Sequence, residues 1–145
     1  MKIRLERVNF RPGGFTTVGY WKWTLPHNKG TLIIQVHKLP WRFELAVWGH
    51  ELVEVFYCWL FGITTEEADK FDSFYEQEYE VGRIPKTAEP GCDARCPYHW
   101  GHMAGIVWER ICIYGTFASW KKYEIECNRV MGIEPDPAVV LEEKT

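Results

Sequence analysis

The sequence predicts an α+β domain: a short N-terminal antiparallel sheet packed on about four helices. Three observations lead there. Residues 1–8, 16–25 and 31–38 are alternating or β-branched and aromatic runs separated by turn residues, whereas most of the chain from Trp41 to Met131 carries apolar residues at helical spacing. Helix-terminus residues then punctuate that second part: Pro40, Gly62, Thr64, Pro97, Ser119 and Gly132. Finally, 145 residues suffice for one core and are too few for two ordinary domains, so residues 1–132 read as a single domain and 133–145, acidic and Pro-containing, as a tail.

Taken in order, residues 1–8 alternate and end in the Arg11-Pro12-Gly13-Gly14 turn. The next two runs flank Pro26-His27-Asn28-Lys29-Gly30, a hairpin signal closed by Gly30, and residues 31–38 offer an edge that can take up a peptide by strand addition. Trp41–Phe61 is so apolar that a helix buried on most sides is expected, with Gly49 as its one interior breaker, open to the approach of another backbone. Thr64-Thr65-Glu66-Glu67 forms a capping box for a second helix running to about Glu80, and Ala68, Phe71, Phe74, Tyr75 and Tyr79 give it an apolar stripe. Asp72 lies beside that stripe and can reach toward the first helix. Residues 83–96 make a loop longer than usual, of the kind that forms lids. A third helix over 98–114 and a fourth over Trp120–Met131 complete the domain, while Ala138-Val139-Val140-Leu141 is a candidate docking patch in the tail.

Composition narrows the function. A net charge of −3 provides no electrostatic footprint for nucleic acid. Neither a secretory leader nor a membrane span is expected, which points to the cytoplasm. Five cysteines are an odd set and fit thiols in a reducing compartment, with Cys58, Cys112 and Cys127 as packing residues. Of eight tryptophans, Trp41, Trp48, Trp59, Trp108 and Trp120 read as core anchors, whereas Trp21, Trp23 and Trp100 can line a binding surface. No helix start follows Gly13-Gly14, so no phosphate loop is present.

Chemistry concentrates in His50-Glu51-Leu52-Val53-Glu54. On a helix His50 and Glu54 lie one above the other with Glu51 beside them. An imidazole and a carboxylate so placed are two ligands for a divalent cation, and the adjacent Glu51 can deprotonate a bound water. The pattern approximates the zinc-hydrolase H-E-x-x-H with Glu54 replacing the second His; a hydrogen-bonded polar patch is the other reading. On the third helix His99, His102 and Glu109 share a stripe, and antiparallel packing would bring His102 to His50 and Glu54 at zinc-ligand distance. Glu109 then orients a ligand histidine, pairs with Arg42 or Arg110, or lies at the surface. A competing set is Cys92, Cys96, His99 and His102, as structural zinc, a labile Cys92–Cys96 disulfide or a Cys96–His99 nucleophilic pair.

Trp41-Arg42-Phe43-Glu44-Leu45 leading into His50–Glu54, the Phe71-Asp72 pair, and Pro97-Tyr98 followed by His102, Ala104 and Glu109-Arg110 resemble a family of uncharacterised phage and bacterial proteins over about residues 31–125. The resemblance implies an H-E-x-x-E helix with a later lone His, similar to a minimal zincin-like metallopeptidase core, and host cytoplasm as the location of a phage-encoded member. It departs at Cys92 and Cys96. Together these readings give a zinc-dependent hydrolase in which His50, Glu54 and His102 hold the metal and Glu51 is the general base, with a peptide or protein substrate. Because Glu54 adds negative charge, Mn2+ or Fe2+ are alternatives to Zn2+. The alternative is a non-enzymatic interaction protein whose ion or His/Glu network is structural.

Overall fold

Ile34 and Val36 have no solvent-accessible surface, and the strand that carries them, β3 (Lys29–His37), is the centre of the sheet. A computed structural model describes residues 1–134. β1 (Lys2–Val8) pairs with one edge of β3 in parallel, from Lys2 opposite Thr31 to Val8 opposite His37. β2 (Gly19–Leu25) pairs with the other edge in the antiparallel sense. The sheet is therefore mixed, in the order β1-β3-β2, and not antiparallel throughout. The reason is the link after β1: residues 9–18 are too long for a tight hairpin, turn through a 3-10 segment at Pro12–Gly14 and carry the chain past β3 before β2 begins. Residues 31–38 consequently do not form an exposed edge, since both sides of β3 are paired. The β2–β3 turn is built on His27 and Asn28, both with positive φ, and Gly30 at φ 84°.

Pro40 then starts α1 (Trp41–Phe61), its carbonyl accepting from the N–H groups of Phe43 and Glu44. Gly62 ends the helix at φ 70°, in the left-handed cap expected of it. Glu44, buried in the first turn, accepts from Arg7 and from the Leu39 N–H, which ties α1 to β1. The expectation of a helix buried on most sides is overturned. Only one side packs on the sheet and the third helix, and Trp41 and Trp59, read as core anchors, are 66% and 56% exposed.

The capping box forms as expected: Thr64 Oγ1 accepts from the Glu67 N–H and Glu67 from the Thr64 N–H, opening α2 (Thr65–Glu80). α3 (His99–Gly115) runs antiparallel along α1, with Gly101 against Tyr57, Gly105 against His50 and Trp108 against Gly49. The neighbour at Gly49 is thus an indole, not a backbone. α4 (Trp120–Met131) has the Ser119 cap and the Gly132 terminus that the sequence marks. α4 ends at Met131 with Gly132 as its cap; the tail from residue 135 on, including Ala138–Leu141, lies outside the described residues. Among the described residues no helix is long and apolar enough to cross a membrane.

Candidate metal centre

Where α1 crosses α3, three ligand-type atoms meet. His50 Nε2 lies 3.3 Å from Glu54 Oε2 and 3.0 Å from His102 Nδ1, and His102 Nδ1 lies 3.0 Å from the same Glu54 oxygen. All three residues are drawn inward, with side chains no more than 12% exposed. The i, i+4 spacing supplies the α1 pair; α3 supplies His102 because Gly105 lets the His50 ring lie close, where a Cβ would come within 2.7 Å of it. The two rings meet edge to face, centroids 4.6 Å apart.

The geometry of this triangle bears on what fills it. Ligands at ~2.0–2.1 Å from a tetrahedral metal stand ~3.3 Å from one another, and the observed edges approach that length. Protons satisfy such a triangle poorly. A ring N–H points along a single direction and so serves one edge, while two ring N–H groups facing each other at 3.0 Å would repel. A cation at the centre serves all three atoms at once.

Each remaining polar atom of the cluster has a neighbour of matching charge or hydrogen-bonding type. Trp21 Nε1 donates to Glu54 Oε1 at 2.8 Å, fixing the carboxylate from the sheet side. Glu109 Oε1 lies 2.6 Å from His50 Nδ1, an ion-pair approach off the line of the ring N–H. Glu89 Oε2 lies 2.9 Å from His102 Nε2. Both histidines therefore carry a carboxylate on the nitrogen that points away from the triangle, the arrangement that orients ligand imidazoles in metal sites. The electrostatics are those of an anionic pocket. Burial would lower the His50 imidazolium, yet Glu109 and Glu54 outweigh it and raise its pKa to about 10. His102 is likewise raised, against its burial, by Cys92, Glu54 and Glu89. Burial pushes Glu54 up, but bonds from His102 and His50 bring it below the ordinary carboxylate range. The pocket favours positive charge.

Glu51 stands apart from the triangle. It is 7% exposed, packs over Gly19 of β2, where a Cβ would come within 2.2 Å of its Oε1, and makes no hydrogen bond among the described residues. Burial, then the charge of Glu54, raises its carboxyl. A cleft of about 400 Å³ opens here, bordered by Gly19 and Trp21 of β2, Glu51 and Glu54 of α1, and Asp72 and Glu89 on the far side. Asp72 faces the cleft that Glu54 of α1 also borders, where the Glu54 charge reaches it; it accepts from the Tyr98 hydroxyl, and burial, against that bond, raises it to about 7.

The structure brings His50, Glu54 and His102 together as the sequence reading expects of them, while Glu51 borders the same cleft but stays outside the triangle. Of the alternatives for Glu109, the structure places it on His50, while Arg110 stacks on Trp120 and Arg42 on Trp41. The cysteine set does not assemble. Cys96 is buried, and burial raises its thiol to about 12; His99 donates to the Gly91 carbonyl; no disulfide links Cys92 to Cys96. Only Cys92 comes near His102, in company with Glu89. Glu89 itself was not foreseen, nor was the role of Trp21 as a donor. The long loop positions Glu89: the Tyr79 hydroxyl donates to the Ala88 carbonyl, the Tyr75 hydroxyl to Asp93, and a 3-10 turn at Pro90–Cys92 settles beside α3.

Fold and site together define a small α+β domain, with a three-stranded mixed sheet and four helices, that carries a buried His/Glu cluster between two antiparallel helices. No protein-family model, no curated protein and no solved structure matches the chain.

Proposed function

We propose that the protein is a mononuclear metal-dependent hydrolase of minimal zincin type, with a peptide as its substrate class. His50, Glu54 and His102 hold Zn2+, or a harder divalent ion such as Mn2+ or Fe2+ given the extra carboxylate. The observation that carries this reading is the triangle of ligand atoms with edges of 3.0–3.3 Å, each ligand already held on its outer side by Trp21, Glu109 or Glu89. When bound there, the cation would supply Lewis acidity. Glu51, buried at the cleft and without a hydrogen-bond partner among the described residues, takes the proton of the attacking water and returns it to the leaving amine.

Support for a peptide comes from β2. The strand register pairs the backbone of Tyr20 and Lys22 with β3 and leaves the Trp21 N–H and C=O turned away from it at the border of the cleft; the Gly19 carbonyl accepts from Thr17 and the Trp23 N–H donates to Thr65 on either side, so only a short extended segment can pair there. This role falls to β2 in place of residues 31–38.

A second reading has an observation of its own. The cluster joins α1 to α3 and its side chains are nearly sealed, as befits an ion or a His/Glu network that pins two helices in a non-enzymatic interaction protein. Glu51→Gln separates the two. A hydrolase keeps its metal and loses peptide cleavage by about 10²–10⁴-fold; cleavage at the wild-type rate ends the catalytic assignment of Glu51, and absence of cleavage by the wild-type protein across a peptide library favours the structural role.

A further inference from the structure

We propose that the protein is a homodimer formed through the outer face of the α1–α3 pair, the side turned away from the His/Glu cluster. This proposal does not depend on the metal reading. Leu52 and Phe56 lie about 160° and 120° around α1 from His50, and Val107 and Ile111 about 140° and 180° around α3 from His102. With Trp100 and Trp108 they are between 38% and 69% exposed. The Trp108 indole lies over Gly49 and closes the seam between the helices, so the two stripes make one surface. Only part of the ~150–250 Å² of each of the three aromatic side chains is open, but together with the three aliphatic ones and the exposed neighbours Leu45, Met103 and Tyr114 the face leaves on the order of 800 Å² of apolar surface open to water. Monomers rarely expose more than about 300–600 Å² in one patch, and ~800 Å² per partner is what a standard stable interface covers.

The composition of the face selects a second copy as the occupant. Every acidic residue of α1 is buried: Glu44, Glu51 and Glu54. Among residues of α1 and α3 that are exposed, the only charged ones are Arg42 and Arg110, and each stacks on a tryptophan. A face rich in Trp, Phe, Leu and Ile and nearly free of charge has the make-up of an interface core. It offers no charge pattern for a heterologous partner to match, and two arginines, each stacked on a tryptophan, fall short of the Lys/Arg-rich polar face by which a helix rests on a bilayer. An antiparallel helix pair laid on its own copy about a two-fold axis makes a four-helix layer in which each patch covers the other.

Sedimentation equilibrium of the full chain tests this. The expected mass at micromolar concentration is twice 17.1 kDa, and a mass of 17.1 kDa for the wild type overturns the proposal whatever any variant does. Phe56→Glu combined with Ile111→Glu replaces two exposed side chains and should give a monomer with unchanged helical circular dichroism. Should that double variant unfold, the single Leu52→Lys serves in its place. A folded variant that stays dimeric overturns the proposal, as does a wild-type monomer that floats with phosphatidylcholine vesicles. Phe10→Glu, an exposed site off this face, should leave the dimer intact; its dissociation would place the interface elsewhere.

Discussion

The two sides of α1 invert the usual arrangement of a helix in a small domain. His50, Glu51 and Glu54 are buried on the inner side, while Leu52, Phe56 and Trp59 are open on the outer one. Each side is costly by itself: buried carboxylates need partners or a cation, and exposed aromatics lose the contribution of burial, about 25 cal/mol per Å². A sequence keeps such a helix only where something answers both. On the inner side the answer is visible in Trp21, Glu109 and Glu89 around the triangle. On the outer side the symmetric partner proposed above supplies it.

Four substitutions probe the inner side, in decreasing order of effect. His102→Ala removes one of three ligands and should weaken divalent-cation binding by more than the ~10–100-fold typical of losing an outer-shell partner, read by competition against a chromogenic chelator. Glu109→Gln leaves the triangle intact but removes the charge behind His50 Nδ1, so affinity should fall by about 10–100-fold; an unchanged value would mean that Glu109 does not orient the ligand. Gly105→Ala drives a methyl into the His50 ring, and urea unfolding should show a loss of about 1–3 kcal/mol, whereas Gly115→Ala, with open space around it, should not destabilise through any clash.

Asp72→Asn gives the smallest effect and depends on pH. The folded protein holds the Asp72 proton up to about pH 7, against an ordinary value of 3.8. Its folded-state pKa is raised, so the associated stability is complete below pH 4 and is lost as pH rises through 7. In the metal-free protein the Asn variant should therefore be more stable than wild type at pH 8 and no more stable at pH 4. A constant difference between the two across that range would show that the Asp72 ionisation is not responsible.

The parts of this architecture that were legible in the sequence are those set by local chemistry. The capping box at Thr64, the glycine stops at Gly62 and Gly132 and the Ser119 cap fix helix ends through bonds made within a few residues. The sheet order was not legible, because antiparallel and parallel partners of β3 differ only in the path of residues 9–18. Burial of α1 was misjudged for a related reason: apolar content states what a helix can bury and not how many neighbours reach it. His50, Glu54 and His102 could be grouped because spacing puts two on one face and an antiparallel α3 presents the third. Glu89 could not, since a loop residue's position follows from distant anchors such as the Tyr79 and Tyr75 hydroxyls.

Elemental analysis of the full chain, purified without a polyhistidine tag, bears most directly on the cluster as a metal centre. One equivalent of zinc, manganese or iron per chain is expected, falling to a small fraction in His102→Ala while both proteins remain folded. Wild-type protein that holds no divalent metal after dialysis against a slight excess, or a His102→Ala variant that retains the full equivalent, would contradict it.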